Sequence, residues 1–320
     1  MDSVVLILQK TLIYAIPLLI VALGGVFAER SGIINLALEG EMIFGAFVGA
    51  IFVFICQKNG AFANHQQLMF IIALLISGIA GGIFSLLLSF AAIKLKADQT
   101  IVGTSLNMLA PALVVTICTV FVQQEKLVMN PMPQYAITNP DMNPILQIFF
   151  HRAYISTFIV IGLYILLSIW LYKSKIGTHM RSCGEHPQAS SSVGIDVHKM
   201  RFLGTTISGF LAGVGGYAYI AASAAGTAEG NIGGMGFLAL AIMIFGNWSP
   251  IGIALGALLF GFLKCIGPIS SSVEFLNALG LPIYFYNIIP YLIVIIVLIF
   301  SKRRSGCPKA EGIPYEKGQR

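Results

Sequence analysis

Charge is what this sequence has least of. Of its 320 residues, 10% are Asp, Glu, Lys or Arg and 57% are hydrophobic, with a mean hydropathy of +0.87. Soluble domains carry about 25% charged residues, so a chain this long and this poor in charge cannot clothe a globular surface, and the bilayer is the solvent that suits it. Cysteine gives no framework either. The five (Cys56, Cys118, Cys183, Cys265, Cys307) are scattered and odd in number, without metal or redox spacing. Also missing are a Gly-x-x-x-x-Gly-Lys-Ser/Thr nucleotide loop, a His-Glu-x-x-His pair and a Gly-x-Ser-x-Gly elbow. No catalytic residue, metal site or cofactor is therefore predicted, and ATP, if used, must bind elsewhere. No row of Asp, Glu and His crosses the apolar runs to suggest a proton pump. No basic stretch precedes the first apolar run, since Asp2 comes before Val4 and Lys10 interrupts early, so a cleaved leader is not expected.

What is present is a series of apolar runs. A span needs about 20 residues, because about 30 Å must be crossed at about 1.5 Å per residue. Candidates cover residues 4–27, 36–55, 68–93, 101–122, 154–172, 202–222, 236–263 and 283–300. The predicted fold is all-α: a polytopic transmembrane helical bundle of about eight to ten spans. The membrane unit is 1–301, with a polar loop at 173–201 inside it, and 302–320 is a short tail expected to be disordered. The run at 236–263 breaks at Asn247-Trp248-Ser249-Pro250, where proline removes a backbone donor and its neighbours offer hydrogen bonds. Two short helices in a re-entrant hairpin are expected there, with one kinked helix as the alternative.

The basic residues set the orientation. Lys173, Lys175, Arg181, Lys199 and Arg201 lie in the long loop, Lys94 and Lys96 after the third run, Arg30 between the first two, and Lys302, Arg303 and Arg304 after the last. All fall on the cytoplasmic side if the N-terminus is outside and the broken run is a hairpin. That reading makes the net charge of +6 a matter of topology, not of nucleic acid. The segment 123–151, with Pro131, Pro133, Pro140 and Pro144, becomes an irregular external loop.

Three constellations stand out. Asn35 and Glu39, four apart, share a face if the second helix has begun by then; they either line a pathway or satisfy backbone groups near the membrane face. Glu29 and Arg30 read as an interfacial ion pair. In the long loop, Pro187 suits the first turn of a short helix with Glu185 or His186 before it, and Gly194 suits its stop. Such a helix could dock on a motor or simply lie at the interface. The run 202–222 carries Gly204, Ser208, Gly209, Ala212, Gly213, Gly215 and Gly216, a close-packing pattern. Leu36-Ala37-Leu38 before Met42-Ile43-Phe44-Gly45 is echoed by Leu238-Ala239-Leu240 before Met243-Ile244-Phe245-Gly246, an echo within reach of chance in so apolar a chain.

These residues resemble the permeases of bacterial ABC importers for simple sugars and nucleosides, the ribose-permease-like class, and most closely the shorter permease of a nucleoside-type pair. Four stretches carry the resemblance: Gly-Ile-Ile-Asn-Leu-Ala-Leu-Glu-Gly-Glu-Met at 32–42; 98–110 with Thr100-Ile101-Val102-Gly103 and Asn107; the loop 181–195; and 234–261 with Gly236-Phe237-Leu238-Ala239-Leu240-Ala241, Phe245-Gly246 and Pro250. The chain departs from the pattern at His186, where Asn is common, at Met235, where Arg is frequent, and at Asn247, where Lys is frequent. The resemblance implies an importer of nucleosides in the inner membrane, with a cytoplasmic C-terminus, membrane lipid around it and no nucleic-acid partner. Simple sugars or a flavin-type vitamin are the alternative cargo, and a secondary transporter is the alternative class. Implied partners are an ATPase subunit with two fused ATPase domains, a paralogous permease and an extracytoplasmic binding protein. Gly184, Glu185, Pro187, Ala189 and Gly194 would couple to the ATPase, and Asn35, Glu39 and Asn107 would belong to the translocation pathway.

Overall fold

A computed structural model describes residues 2–136, 150–224, 226–300 and 306–317. Lys302, Arg303, Arg304, Pro140 and Pro144 lie outside the described residues. Helices begin where side chains can take the first free amide groups. Asp98 accepts from Thr100 and Ile101 at the head of α4 (Gln99–Ile117), and Ser174 accepts from Gly177 at the head of α6 (Lys175–Glu185). Asp196 accepts from Lys199 at the head of α8 (Val197–Ala222), and Ser249, followed by Pro250, accepts from Gly252 at the head of α10 (Pro250–Ile269).

The other helices are α1 (Asp2–Ser31), α2 (Leu38–Lys58), α3 (Gln66–Ser89), α5 (Ile155–Lys173), α7 (Pro187–Ser192), α9 (Met235–Phe245), α11 (Glu274–Ala278) and α12 (Ile283–Phe300). The expected polytopic helical bundle is what forms: among the described residues six helices are long and apolar enough to cross a membrane. The bundle is layered. Buried residues make up 89% of the best apolar window of α1 and only 22% of that of α4, so α1 is a core helix and α4 a rim helix. Ile79, Ile83, Met108, Ile165, Leu166, Leu255 and Ile295 face outward and are exposed, as lipid contact requires.

α8 is the hub, packed on α1, α2 and α3. Its small residues let backbones touch: a methyl group on Gly213 would sit 2.1 Å from the Ser77 carbonyl oxygen of α3, and one on Gly81 of α3 would sit 2.3 Å from that of Gly209. The close-packing pattern serves three seams, since Gly209 and Gly213 meet α3, Gly204 and Gly215 meet α1, and Gly216 meets the Met42 carbonyl of α2.

Two ends can be told apart. The basic end gathers Arg30, Lys96, Lys173, Arg181, Lys199 and Arg201, which lie in or beside the termini that α1, α3, α4, α5 and α8 present there. At the opposite end β1 (Leu127–Val128) pairs antiparallel with β4 (Thr227–Ala228), and β2 (Tyr135–Ala136) pairs with β3 (His151–Ala153).

Four local expectations need correcting. The broken run is two helices, but only α9 is short; α10 continues to Ile269, long enough to cross. Their joint places Asn247 and Trp248 at φ of 52° and 55°, a sharp reversal instead of a kink. Asn35 is not on a helix: the chain from Gly32 to Ala37 is irregular, and α2 starts at Leu38. Glu29 and Arg30 do not pair as expected; Arg30 lies 3.6 Å from Glu185 and Glu29 accepts from the Trp248 indole. Residues 306–317 of the tail are packed against the basic end, with Tyr315 and Ala310 buried. Sequence polarity pointed to disorder, but the tail is held by main-chain bonds and by distant partners of Tyr315 and Glu316, which composition does not reveal.

A mid-membrane junction of two helix starts

The irregular segment 32–37 climbs back into the bundle. Ile34 donates its amide to Gln99 Oε1 at the start of α4 (2.7 Å), and further along Asn107 takes over. Asn107 accepts from the Gly40 amide at 2.7 Å and donates to the Leu36 carbonyl at 2.6 Å. Asn107 is two turns into α4, about 12 Å from its start. α2 thus starts well inside the membrane, beside Gly25 of α1, which Leu38 touches.

α9 starts at the same depth from the other side of the chain. Its far end turns at Trp248, whose indole donates to Glu29 and whose carbonyl accepts from Tyr172, both at the basic end. Eleven residues of helix then place Met235 about 16 Å inward. There Glu39, the second residue of α2, accepts from the amide of Gly234 with Oε1 (3.0 Å) and from that of Gly236 with Oε2 (2.6 Å). Those amides open α9 and have no partner within the helix. A carboxylate at a helix start also meets the positive end of the helix dipole. The two helices touch so closely that a methyl group on Gly236 would lie 2.4 Å from the Glu39 nitrogen.

A second polar layer backs this one. Asn35 donates to Ser208 Oγ of α8 at 2.9 Å and to both Glu41 oxygens at 3.2 and 3.0 Å, while its Oδ1 accepts from the Ala37 amide. Asn35 and Glu41 are wholly buried and Glu39 nearly so. On the far side of the α9 start, Lys264 of α10 donates to the Gly233 carbonyl (3.0 Å) and to the Tyr291 hydroxyl (3.0 Å), and its Nζ lies 5.0 Å from the centre of the Tyr291 ring. Gly233 and Gly234 adopt φ of 65° and 70°, so this turn is held by an acid on its amides and a base on its carbonyl.

The predicted pathway residues Asn35, Glu39 and Asn107 are thus brought together, as cross-links between helix starts. Lys264, Tyr291, Ser208 and Glu41 were missed. A lone lysine inside an apolar run is a signal that could have found Lys264.

The loop residues divide. His186 precedes Pro187, which opens α7, and Gly194 at φ of 88° ends the turn after it, as expected. Gly184 is buried and packs its backbone on α1: a methyl group there would lie 2.4 Å from the Arg30 carbonyl. Glu185 faces Arg30, and Pro187 is buried. Ala189 and Gly194 point outward, beside Val193, which is 75% exposed. Burial pushes the Cys183 thiol up, which makes it a packing group on Val197 and Tyr315. At the opposite end an open cleft of about 1030 Å³ is lined by Pro111, Gln124, Glu125, Lys126, Glu229 and Asn231.

An α-helical membrane bundle in which the short helix α9 and the full-length α2 start against each other at a capped junction, with a loop helix at its basic end, fits a membrane transport protein. The chain belongs to the branched-chain amino acid transport system / permease component family, which matches residues 7–298. It is 39% identical to the guanosine ABC transporter permease protein NupQ of Bacillus subtilis, over 98% of both chains, and 36% identical to the nucleoside ABC transporter permease protein NupC of Lactococcus lactis, over 99% of both. The guanosine ABC transporter permease protein NupP of B. subtilis is 24% identical over 88% of this chain and 78% of its own. No solved structure matches.

Proposed function

We propose that this chain is the membrane-spanning permease of an ATP-driven, binding-protein-dependent nucleoside importer. The observation that carries the reading is the end-to-end likeness to two nucleoside permeases at 39% and 36% identity. A paralogous permease completes the pathway, an extracytoplasmic binding protein delivers cargo, and a separate subunit with two ATPase domains hydrolyses ATP. The basic end is cytoplasmic by the positive-inside rule, so the C-terminus is cytoplasmic and the cleft at Glu229 and Asn231 opens outward. Its amides and carboxylates match the donors and acceptors of a nucleoside's sugar and base edges.

In this reading the outward face of α7, with Ala189, Val193 and Gly194, meets the ATPase. Gly184, Glu185 and Pro187 pass its movement to α1. Asn35, Glu39 and Asn107 shape the pathway by fixing where α2 and α9 begin, and the Gly233–Gly234 turn is the hinge. ATP drives the switch because the ATPase binds the two permease states with different affinity.

The test is uptake of labelled guanosine by a strain lacking this chain and by the complemented strain, with unlabelled nucleosides and glucose as competitors. Guanosine uptake restored by the chain, abolished by ATP depletion and competed by nucleosides supports the reading. Unchanged guanosine uptake alongside lost glucose uptake refutes it.

A further inference from the structure

The packed tail touches several elements of the basic end at once. Ala310 donates its amide to the Gly184 carbonyl at 2.9 Å, where the loop helices meet. Gly312 donates to the Gly32 carbonyl at 3.3 Å, at the end of α1. The Ile313 carbonyl accepts from Arg201 Nη1 of α8 at 2.9 Å. Tyr315 is buried against Cys183 of α6 and Val197 of α8, with its ring edge-on to His198. Glu316 pairs with Lys96 in the α3–α4 turn, and Gly306 backs onto Asn247 in the α9–α10 turn.

We propose that residues 306–317 form a second coupling element, binding the loop helices α6 and α7 to the ends of α1 and α8 so that movement imposed on α7 is carried into the membrane as one block. This rests on the permease reading. Without the tail, α6 still packs along α1, closest at Gly184, and among the described residues the one ion pair from loop to α1 is Arg30–Glu185. That pair is weak, because the Glu185 side chain is 40% exposed and water screens it. The tail adds a tie that is shielded from water, at Arg201. Arg201 is 1% exposed, and among the described residues its Nε and Nη2 have no hydrogen-bond partner. The Ile313 carbonyl is its one side-chain acceptor there, and losing it would strand a buried charge. Gly32, at φ of 98°, makes the reach possible, since a methyl group there would sit 2.9 Å from Arg201 Nη2. Glycine at 32, arginine at 201 and the tail carbonyl are thus one device.

The test uses the complete transporter, with both permeases, ATPase and binding protein, in lipid vesicles. Three forms of this chain are compared with wild type: one ending after residue 305, Tyr315→Ala and Tyr315→Phe. Basal ATPase activity, its stimulation by nucleoside-loaded binding protein, and ATP consumed per nucleoside imported are measured. The truncated form and Tyr315→Ala keep basal ATPase activity, lose stimulation by at least about fivefold, the lower edge of usual coupling factors, and consume more ATP per nucleoside. Tyr315→Phe, which keeps the ring, matches wild type. If the truncated chain does not assemble, Tyr315→Ala decides. Normal stimulation and stoichiometry in Tyr315→Ala, even with lowered thermal stability, overturns the proposal and leaves the tail a purely structural part. A wild-type complex that imports no nucleoside counts against the permease reading and not against the tail.

Discussion

Glu39 offers the sharpest test of the junction. Replacing it with alanine leaves the amides of Gly234 and Gly236 without an acceptor at the start of α9. A buried unsatisfied donor costs about 1–3 kcal/mol, so two cost ~2–6 kcal/mol. Removing the carboxylate also relieves the penalty of burying it, which brings the net toward the low end, ~2 kcal/mol. At about 2.1 cal/mol/K of unfolding entropy per residue, a chain of 320 residues shifts by about 1.5 °C per kcal/mol, so the melting temperature should fall by roughly 3 °C. Glu39→Gln keeps one acceptor and turns an NH2 toward the other amide, so it should fall between alanine and wild type. The measurement is thermal unfolding of purified protein in detergent, followed as loss of the monodisperse peak, together with guanosine uptake in cells. A melting temperature for Glu39→Ala within about 1 °C of wild type, with full uptake, would falsify the claim that this carboxylate holds α9 in place.

The α8–α3 seam predicts that Gly213→Ala destabilises by more than ~1–3 kcal/mol, the usual cost of overpacking, whereas Gly162→Ala, with open space around it, is neutral; parallel melting curves and yields check both. Val193→Asp, at the exposed tip beside α7, should leave insertion intact and lower recovery of the ATPase subunit in pull-downs from lipid discs. The tail should be pH-sensitive. Burial lifts the Glu311 carboxyl above its ordinary 4.5, and Glu29, Arg30 and Cys307 face it, with Trp248 donating to Glu29. A carboxyl with a raised docked pKa holds its proton more tightly when docked, so docking is strongest below 4.5 and weakens as pH rises through the raised value. Hydrogen exchange at Ala310 and Gly312, corrected for intrinsic rates, should speed up across that range in wild type and stay flat in Glu311→Gln.

The bundle was legible because apolar runs and lysine positions report on lipid and water one residue at a time. The short loop helix was legible for a similar reason, since His186, Pro187 and Gly194 act on their own backbone. The junction was legible only in part. Asn35, Glu39 and Asn107 stood out as polar residues in apolar surroundings. Glu39 and Asn107 bind backbone from segments about 70 to 200 positions away, and Asn35 reaches Ser208 173 positions on, and no spacing rule reaches that far. Treating Asn35 and Glu39 as one helix face failed because the helix starts between them, at Leu38. The echo between 36–45 and 238–246 gains a physical setting, since it falls on the two helices whose starts meet at Glu39. The tail was misjudged because its polar composition says nothing of the main-chain bonds at Ala310, Gly312 and Ile313 or of the distant partners that bury Tyr315.

The bond between Arg201 and Ile313 has a bearing on how the molecule is made. Synthesis runs from the N-terminus, so α8 carries its arginine to the membrane face more than a hundred residues before the carbonyl that receives it exists. Through that interval the guanidinium must stay in water or borrow a lipid phosphate, and the basic end stays open. Docking of 306–317 is then among the last events of biogenesis. A ribosome that stops before residue 306 releases a chain whose helices are all made but whose basic end is unclosed, a difference that a membrane protease could read.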